Sequence, residues 1–170
     1  MYFQPTMEIR QATTTDLDAM WDIFRSVIAV GDALPFSDDF DRETFQSHWF
    51  GSQKSYVAVA GSDVLGMYKF GANYPGLGAH VASATYVVHP SAQGKGIGRA
   101  LVQRSLAQAR SDGFMAMQFN YVVSSNVPAV ELYRKLGFTI AGTLPKAFRH
   151  QQLGFVDAYV MYRFLQPQDT

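Results

Sequence analysis

Cysteine is absent from all 170 residues. That excludes disulfides, thiolate metal sites and a cysteine nucleophile together, and it fits a reducing compartment. Charge is scarce as well: Asp, Glu, Lys and Arg make up 16% of the chain, against roughly 25% in an average globular domain. Neither sign is in excess, because 14 Lys+Arg meet 14 Asp+Glu. A nucleic-acid binder needs basic surplus to displace counterions from phosphates, so this balance argues against that class and against an acidic disordered tail. No stretch approaches the ~20 apolar residues of a membrane span. Residues 1–10 lack the run of roughly 7–15 apolar residues that a signal peptide requires. No His or Cys cluster has ligand spacing, so no metal is expected.

Core-forming material is plentiful, with 48% hydrophobic and 14% aromatic residues. A chain of this length buries roughly 70% of its unfolded surface and needs no outside staple. The expectation is one cytoplasmic α/β (α+β) domain at residues 8–165, between a tail at 1–7 and a tail at 166–170. Tyr2-Phe3-Gln4 reads either as a protease-tag remnant or as native sequence.

Strand and helix signals alternate along the chain. Residues 9–12 read as a short strand, and Thr13 to Asp16 supply helix N-cap side chains. Leu17, Met20, Trp21, Phe24, Val27 and Ile28 recur at helical spacing. Residues 31–41 read as a loop carrying the acidic Asp38, Asp39 and Asp41, and 42–50 as a second short helix. Residues 56–60 and 64–70 form a hairpin around Gly61-Ser62-Asp63. A strand at 81–89 stops at Pro90, which has no ladder donor. A glycine-rich turn at 93–98, a helix at 99–111 and a strand at 115–123 follow. A helix at 126–136 has Pro128 in its first turn and Gly137 beyond its end. Strands at 138–142 and 156–165 close the chain, separated by a loop carrying Lys146, Arg149 and His150.

The segment Val87-Val88-His89-Pro90-Ser91-Ala92-Gln93-Gly94-Lys95-Gly96-Ile97-Gly98-Arg99 leads from strand through glycine turn into helix. Bare amides at a helix N-terminus, with its partial positive charge, favour an anion, and glycine lets backbone approach it closely. A dinucleotide G-x-G-x-x-G does not fit, because Arg99 or Leu101 stands at the third glycine's place. A Walker A string does not occur, which leaves a plain connecting turn or another anion-binding loop.

Gln93-x-x-Gly96-x-Gly98 resembles the [RQ]-x-x-G-x-[GA] signature of the Gcn5-related N-acetyltransferase (GNAT) superfamily. Asn126-Val127-Pro128-Ala129-Val130-Glu131-Leu132-Tyr133-Arg134-Lys135-Leu136-Gly137-Phe138 is similar to that superfamily's N-x-x-A-x-x-[LF]-Y-x-[KR]-x-G-F helix. The resemblance extends over residues 8–165 and implies a single mixed sheet flanked by helices, with acetyl-CoA as cofactor. By resemblance, Gln93, Gly94, Lys95, Gly96, Ile97, Gly98 and Arg99 hold the pyrophosphate, with Asn126 and Tyr133 also lining the cofactor. The backbones of Val87 and Val88 pair with the pantetheine amides, as an added strand does.

The same resemblance implies an amine attacking the thioester directly, with Tyr133 as the acid that serves the departing sulfur. The glutamate base common in the family is missing from residues 81–88. Ser83, Thr85 and Tyr86 can hold a water there, and His80 just upstream titrates in the right range. Asn120 is a polar amide in an apolar strand and is expected to be buried with hydrogen-bond partners. The pattern Asn73-Tyr74-Pro75-Gly76, His80, Phe119-Asn120 and Ser125-Asn126 is similar to the fungal proline-analogue N-acetyltransferases, which act on cyclic imino acids. It implies Asn120 as a substrate-orienting or carbonyl-polarising group, with Asn126 and His80 near the acceptor, and Asn126 also reads as a helix N-cap. The expected partner is a small-molecule amine, an amino or imino acid, with a homodimer compatible with the family. A peptide or lysine acetyltransferase and a non-catalytic acetyl-CoA-binding module stay open at this point.

Overall fold

The computed structural model describes residues 6–167, so most of the two expected tails lies outside the described residues. One sheet is built from β1 (Glu8–Gln11), β2 (Lys54–Ala60), β3 (Asp63–Ala72), β4 (Val81–Val88), β5 (Ala116–Val123), β6 (Thr139–His150) and β7 (Gly154–Phe164). Their order across the sheet is β1-β2-β3-β4-β5-β7-β6. Only the central β4–β5 pair is parallel; its neighbours on both sides are antiparallel. Four helices complete the fold: α1 (Leu17–Val30), α2 (Arg42–Trp49), α3 (Ile97–Ser111) and α4 (Val127–Lys135). Among the described residues no helix is long and apolar enough to cross a membrane.

Period-two alternation along the strands assigns the helices to faces. Val57, Met67 and Val87 pack with Leu17, Met20 and Phe24 of α1 and Phe45 and Trp49 of α2. Their neighbours Tyr56, Tyr68 and Phe70 pack with Leu101, Val102 and Leu106 of α3 and Val130 of α4 on the other face. Sheet residues on both faces are therefore apolar or aromatic, which is why those strands read as nearly continuous hydrophobic runs.

Two boundaries differ from the sequence reading for physical reasons. The strand expected to end at residue 142 continues as β6 to His150, so Lys146, Arg149 and His150 lie on or beside a strand rather than in a loop. Its pairing with β7 shifts register between Leu144 and Phe148. Within that bulge Pro145 lacks a donor, and Lys146, at φ +51°, gives its amide to Asp157 Oδ1 at 2.9 Å. The bulge interrupts the alternation by which a strand is recognised. At the other end of the chain, Asp16 turns back to accept the Thr13 amide at 2.8 Å.

Asp16 also receives both Arg10 guanidinium nitrogens, at 2.8 and 2.9 Å, and is itself only 6% exposed. It thereby ties β1 to the start of α1. The Arg10 hydrogen bonds hold its carboxyl below the usual carboxylate range. A depressed pKa means stability that is present above the ordinary carboxylate pKa and lost as pH falls through the lowered one. Asp16→Asn is expected to cost about 1–2 kcal/mol near neutrality, since the half-exposed Arg10 can return to water. Urea unfolding curves check this, and the gap to wild type should close as the pH is lowered.

Candidate active site

β4 and β5 stay together for three residue pairs, Val81–Ala116, Ala82–Met117 and Ser83–Gln118, and then part. Each keeps its outer neighbour: β4 stays on β3 as far as Val88, and β5 pairs β7 at Val122 and Val123. A cleft of about 570 Å³ opens between the diverging strands. Its walls come from residues 83–88 and 119–123, the glycine turn, α4 and the segment Ala33-Leu34-Pro35-Phe36 before α2.

At the end of β4, Pro90–Ala92 forms a single 3-10 turn, and the His89 ring accepts the Ser91 amide at 3.0 Å. Gly94 and Gly96 follow at φ +74° and +81°, conformations that a side chain disfavours. Helix α3 starts at Ile97, two residues earlier than the sequence reading. Its N-cap is Gly96, which has no side chain to occupy the first-turn amides. Those amides, with Gln93 and Arg99, border the cleft.

The cleft collects Val87, Val88, Gln93, Gly94, Gly96, Ile97, Gly98, Arg99, Asn120, Asn126 and Tyr133. It does not collect Lys95 or His80. Lys95 is exposed on the outside of the turn. His80 is exposed in the turn before β4, at the end of that strand remote from the glycines. Asn126 occupies the N-cap position of α4 but makes no side-chain cap bond, so its amide is left to the cleft it borders.

Tyr133 packs its ring against Phe119, Phe138 and Tyr86, with centroids 4.6, 6.1 and 6.3 Å away. No hydrogen bond from its hydroxyl to the described residues is formed, and burial pushes its pKa up to about 12. It is therefore a neutral donor across the physiological range. Tyr86, expected as a water holder, instead shares a hydrogen bond of 2.6 Å with Ser105 of α3 and reaches the Met117 sulfur at 3.6 Å. Burial holds its phenol well above the ordinary tyrosine value.

Asn120 is exposed, contrary to the sequence reading. Asn120 keeps the alternation of β5, sharing the face of Gln118 opposite buried Phe119, and that face is open here; the register shift toward β7 follows it, before Val122. Its amide is nevertheless bonded to Asn73 and Gln118, with a long 3.4 Å approach to Ser83 Oγ besides. A second cleft of about 510 Å³ adjoins the first, sharing Leu34, Pro35, Phe36 and Tyr121 with it. Phe148, Arg149, His150 and Asp38 border this one. His150 Nδ1 accepts the amides of Gln152 and Leu153, both at 3.1 Å. Asp41 is spent on the α2 N-cap, accepting the Thr44 amide at 2.8 Å. The wall at residues 33–36 was invisible to the sequence reading, because a loop without periodicity carries no signal of what it packs against.

The chain belongs to the acetyltransferase (GNAT) family, whose model matches residues 17–138. Among solved structures, a GCN5-related N-acetyltransferase from Kribbella flavida is 38% identical, with a TM-score of 0.89 over 93% of this chain and 97% of that one. N-acetyltransferase aca1 of Schizosaccharomyces pombe is 37% identical over 64% of this chain, which spans only 53% of that protein. An L-methionine sulfoximine/L-methionine sulfone acetyltransferase of Pseudomonas aeruginosa is 30% identical over 81% of this chain and 83% of its own length.

Ser105 is completely buried in α3 and links that helix to Tyr86 in the cleft wall. Ser105→Ala leaves the Tyr86 hydroxyl with only the weak Met117 sulfur contact. An unsatisfied buried hydroxyl costs about 1–3 kcal/mol. Chemical denaturation is expected to show a loss in that range, whereas Ser105→Thr, which keeps a hydroxyl, should lose less.

Proposed function

We propose that this chain is an acetyl-CoA-dependent N-acetyltransferase acting on the amine of a small molecule, an amino or imino acid, by direct attack in a ternary complex. The observation that carries this reading is the cleft between β4 and β5, which ends on the uncapped N-terminus of α3. Acetyl-CoA is the cofactor of the family. The residues present fit it: glycine amides free of side chains for a pyrophosphate, and strand edges beyond Ser83 without a β-partner for its amides. The Pseudomonas aeruginosa relative, whose name gives it amino-acid-like acceptors, supports the substrate class. The reading places the enzyme in the cytoplasm, with no nucleic acid or membrane as partner, its transferase unit spanning residues 8–165.

When bound, acetyl-CoA supplies an acetyl group activated as a thioester. The amides at the start of α3 bind phosphate, with Arg99 beside them as a cation. Val87 and Val88 offer backbone donors and acceptors along the open edge of β4. Asn120 offers an amide N–H to a carbonyl or carboxylate oxygen, and Asn126 lines the same cleft. Tyr133 holds a proton on its hydroxyl facing the cleft. A phenol near 12 is too weak an acid to protonate fully a thiolate of pKa about 8.5, since that gap is worth about 5 kcal/mol. Tyr133 therefore serves as a hydrogen-bond donor to negative charge growing on a departing sulfur. The proton released by the acceptor nitrogen passes to water held near Ser83 and Thr85.

The test is release of free thiol from acetyl-CoA against panels of amino acids, imino acids, polyamines and peptides. Release with amino or imino acids is expected; a preference for peptides or lysine side chains, or no release at all, overturns the reading. Gly98 gives a second expectation. A Cβ there would meet Val88 and Leu132 only at ordinary contact distances, 3.7 and 3.8 Å, and the position is helical. Gly98→Ala should therefore leave the free protein as stable or up to about 1 kcal/mol more so, through helix propensity. Acetyl-CoA affinity in calorimetric titration is expected to fall about tenfold, because the added methyl stands where a phosphate should approach the amides.

Tyr133→Phe keeps the packed ring and removes the donor. A hydrogen bond to a charged group is worth about 1.5–3 kcal/mol, so kcat should fall roughly 10- to 150-fold with acetyl-CoA affinity little changed. Because the raised pKa keeps the phenol protonated, the ratio of wild-type to variant kcat should stay flat from about pH 6 to about pH 10. Steady-state kinetics across that range check both statements.

A further inference from the structure

Four neutral side chains from three segments meet where β4 and β5 part: Asn73 after β3, Ser83 on β4, and Gln118 and Asn120 on β5. Asn73 and Asn120 are joined edge to edge, each amide donating to the other. Asn120 Nδ2 reaches Asn73 Oδ1 at 2.7 Å, and Asn73 Nδ2 reaches Asn120 Oδ1 at 3.2 Å. Gln118 Nε2 donates a second bond to Asn120 Oδ1 at 2.8 Å. Both lone pairs of that oxygen are then used. Turning the Asn120 amide over would set its NH₂ group against two donors and its oxygen against the Asn73 oxygen.

The lock decides which atom is left for the cleft. Of the two hydrogens on Asn120 Nδ2, one goes to Asn73, and the other has only a long 3.4 Å approach to Ser83 Oγ. Ser83 and Asn120 both border the cleft, whereas Asn73 and Gln118 do not. The Asn73 main chain is held beside β4, its backbone amide donating to Val81 O at 2.9 Å. We propose that Asn73 is a positioning residue of the transfer site: through its reciprocal amide pair it aims one N–H of Asn120 into the cleft, toward an oxygen of the acceptor or of the acyl group. This rests on the transferase reading above.

A locked donor needs no reorganisation when an oxygen arrives, which is the condition under which such donors assist acyl transfer most. An amide free to flip would present its oxygen half the time, and that oxygen repels carboxylate and carbonyl oxygens alike. Gln118 holds Oδ1 by one bond; Asn73 adds a second donor to that oxygen and the one close acceptor for Nδ2 among the described residues.

The experiment is a double-mutant cycle on the full chain, with Asn73→Ala, Asn120→Ala and the pair, read as acceptor kcat/KM, acetyl-CoA affinity by calorimetry, and melting temperature. Asn73→Ala is expected to lower acceptor kcat/KM about tenfold, with cofactor affinity and melting near wild type, and to add nothing on top of Asn120→Ala. Asn73→Asp keeps an oxygen for Asn120 Nδ2 and should recover most of the loss; it also stands in if the alanine variant does not fold. Wild-type rates in Asn73→Ala, additive losses in the pair, or a loss that comes with weakened cofactor binding and lower melting would each overturn the positioning role. Transfer by wild type combined with any of these results removes this role alone, whereas a wild-type chain that acetylates no amine removes the transferase reading and this role together.

Discussion

Three residue pairs are all that join β4 to β5. A parallel sheet normally runs its ladder the length of both strands, because backbone groups left open in an interior must find partners. Here the remaining halves of both strands turn their facing edges to a cleft in the middle of the molecule. Each stays paired with its other neighbour, β4 with β3 and β5, past its register shift, with β7. The chain leaves β4 through the glycine turn and returns as β5 after α3. That connection sets a helix N-terminus at the carboxyl end of a parallel strand, where open α/β sheets place their ligands. The open helix N-terminus and the open strand edges thus follow from one interruption in one ladder.

The interruption also separates two kinds of environment. Toward α3 and α4 the cleft is aromatic: Tyr86, Phe119, Tyr133 and Phe138 pack together, and the Tyr86 hydroxyl is consumed by Ser105. At the apex the side chains are neutral amides and a hydroxyl, half-buried except for exposed Asn120 and bonded among themselves. Beyond them, the loop at Leu34 to Phe36 joins the first cleft to the second, whose rim carries Arg149, His150 and Asp38. His150 has its Nδ1 lone pair taken by two backbone amides, which fixes the ring at the rim.

What could be read from the sequence was whatever backbone geometry forces on residue identity. Gly94 and Gly96 sit at positive φ, so glycine at those positions was a structural statement before any coordinates existed. The same holds for Gly137 at φ +89° just past α4, and for Pro128 within that helix's first turn. The sheet flanked by helices came from the family resemblance, and apolar residues on both faces of β2, β3 and β4 account for it. A bulge defeated the reading once. Around Lys146 the lost alternation hid half of β6. Asn120 was misread for another reason: it lies in an apolar run, and the run does not tell that its face of β5 stands open. The partners of Asn120 were out of reach for a different reason: Asn73 lies 47 positions away, and only the sheet topology brings it there.

Burial gives Tyr133 two properties that pull in opposite directions. Withdrawing the phenol from water raises its pKa to about 12, which makes it a poorer acid than free tyrosine. The same withdrawal lowers the local dielectric, so a hydrogen bond from its O–H to nearby negative charge is stronger than it would be in water. A group that must surrender its proton is harmed by that environment, and a group that must only share it is helped. The hydroxyl has no hydrogen bond among the described residues while its ring is held by three aromatic neighbours, so it is fixed in place with its donor unspent. That combination suits a residue whose contribution appears only when charge develops beside it, the condition for an interaction to speed a reaction rather than merely tighten binding. A residue placed for packing alone gains nothing from a hydroxyl, because phenylalanine fills the same space without the cost of desolvating an O–H. In Tyr133 the hydroxyl has no bond to the described residues, and the ring borders the cleft.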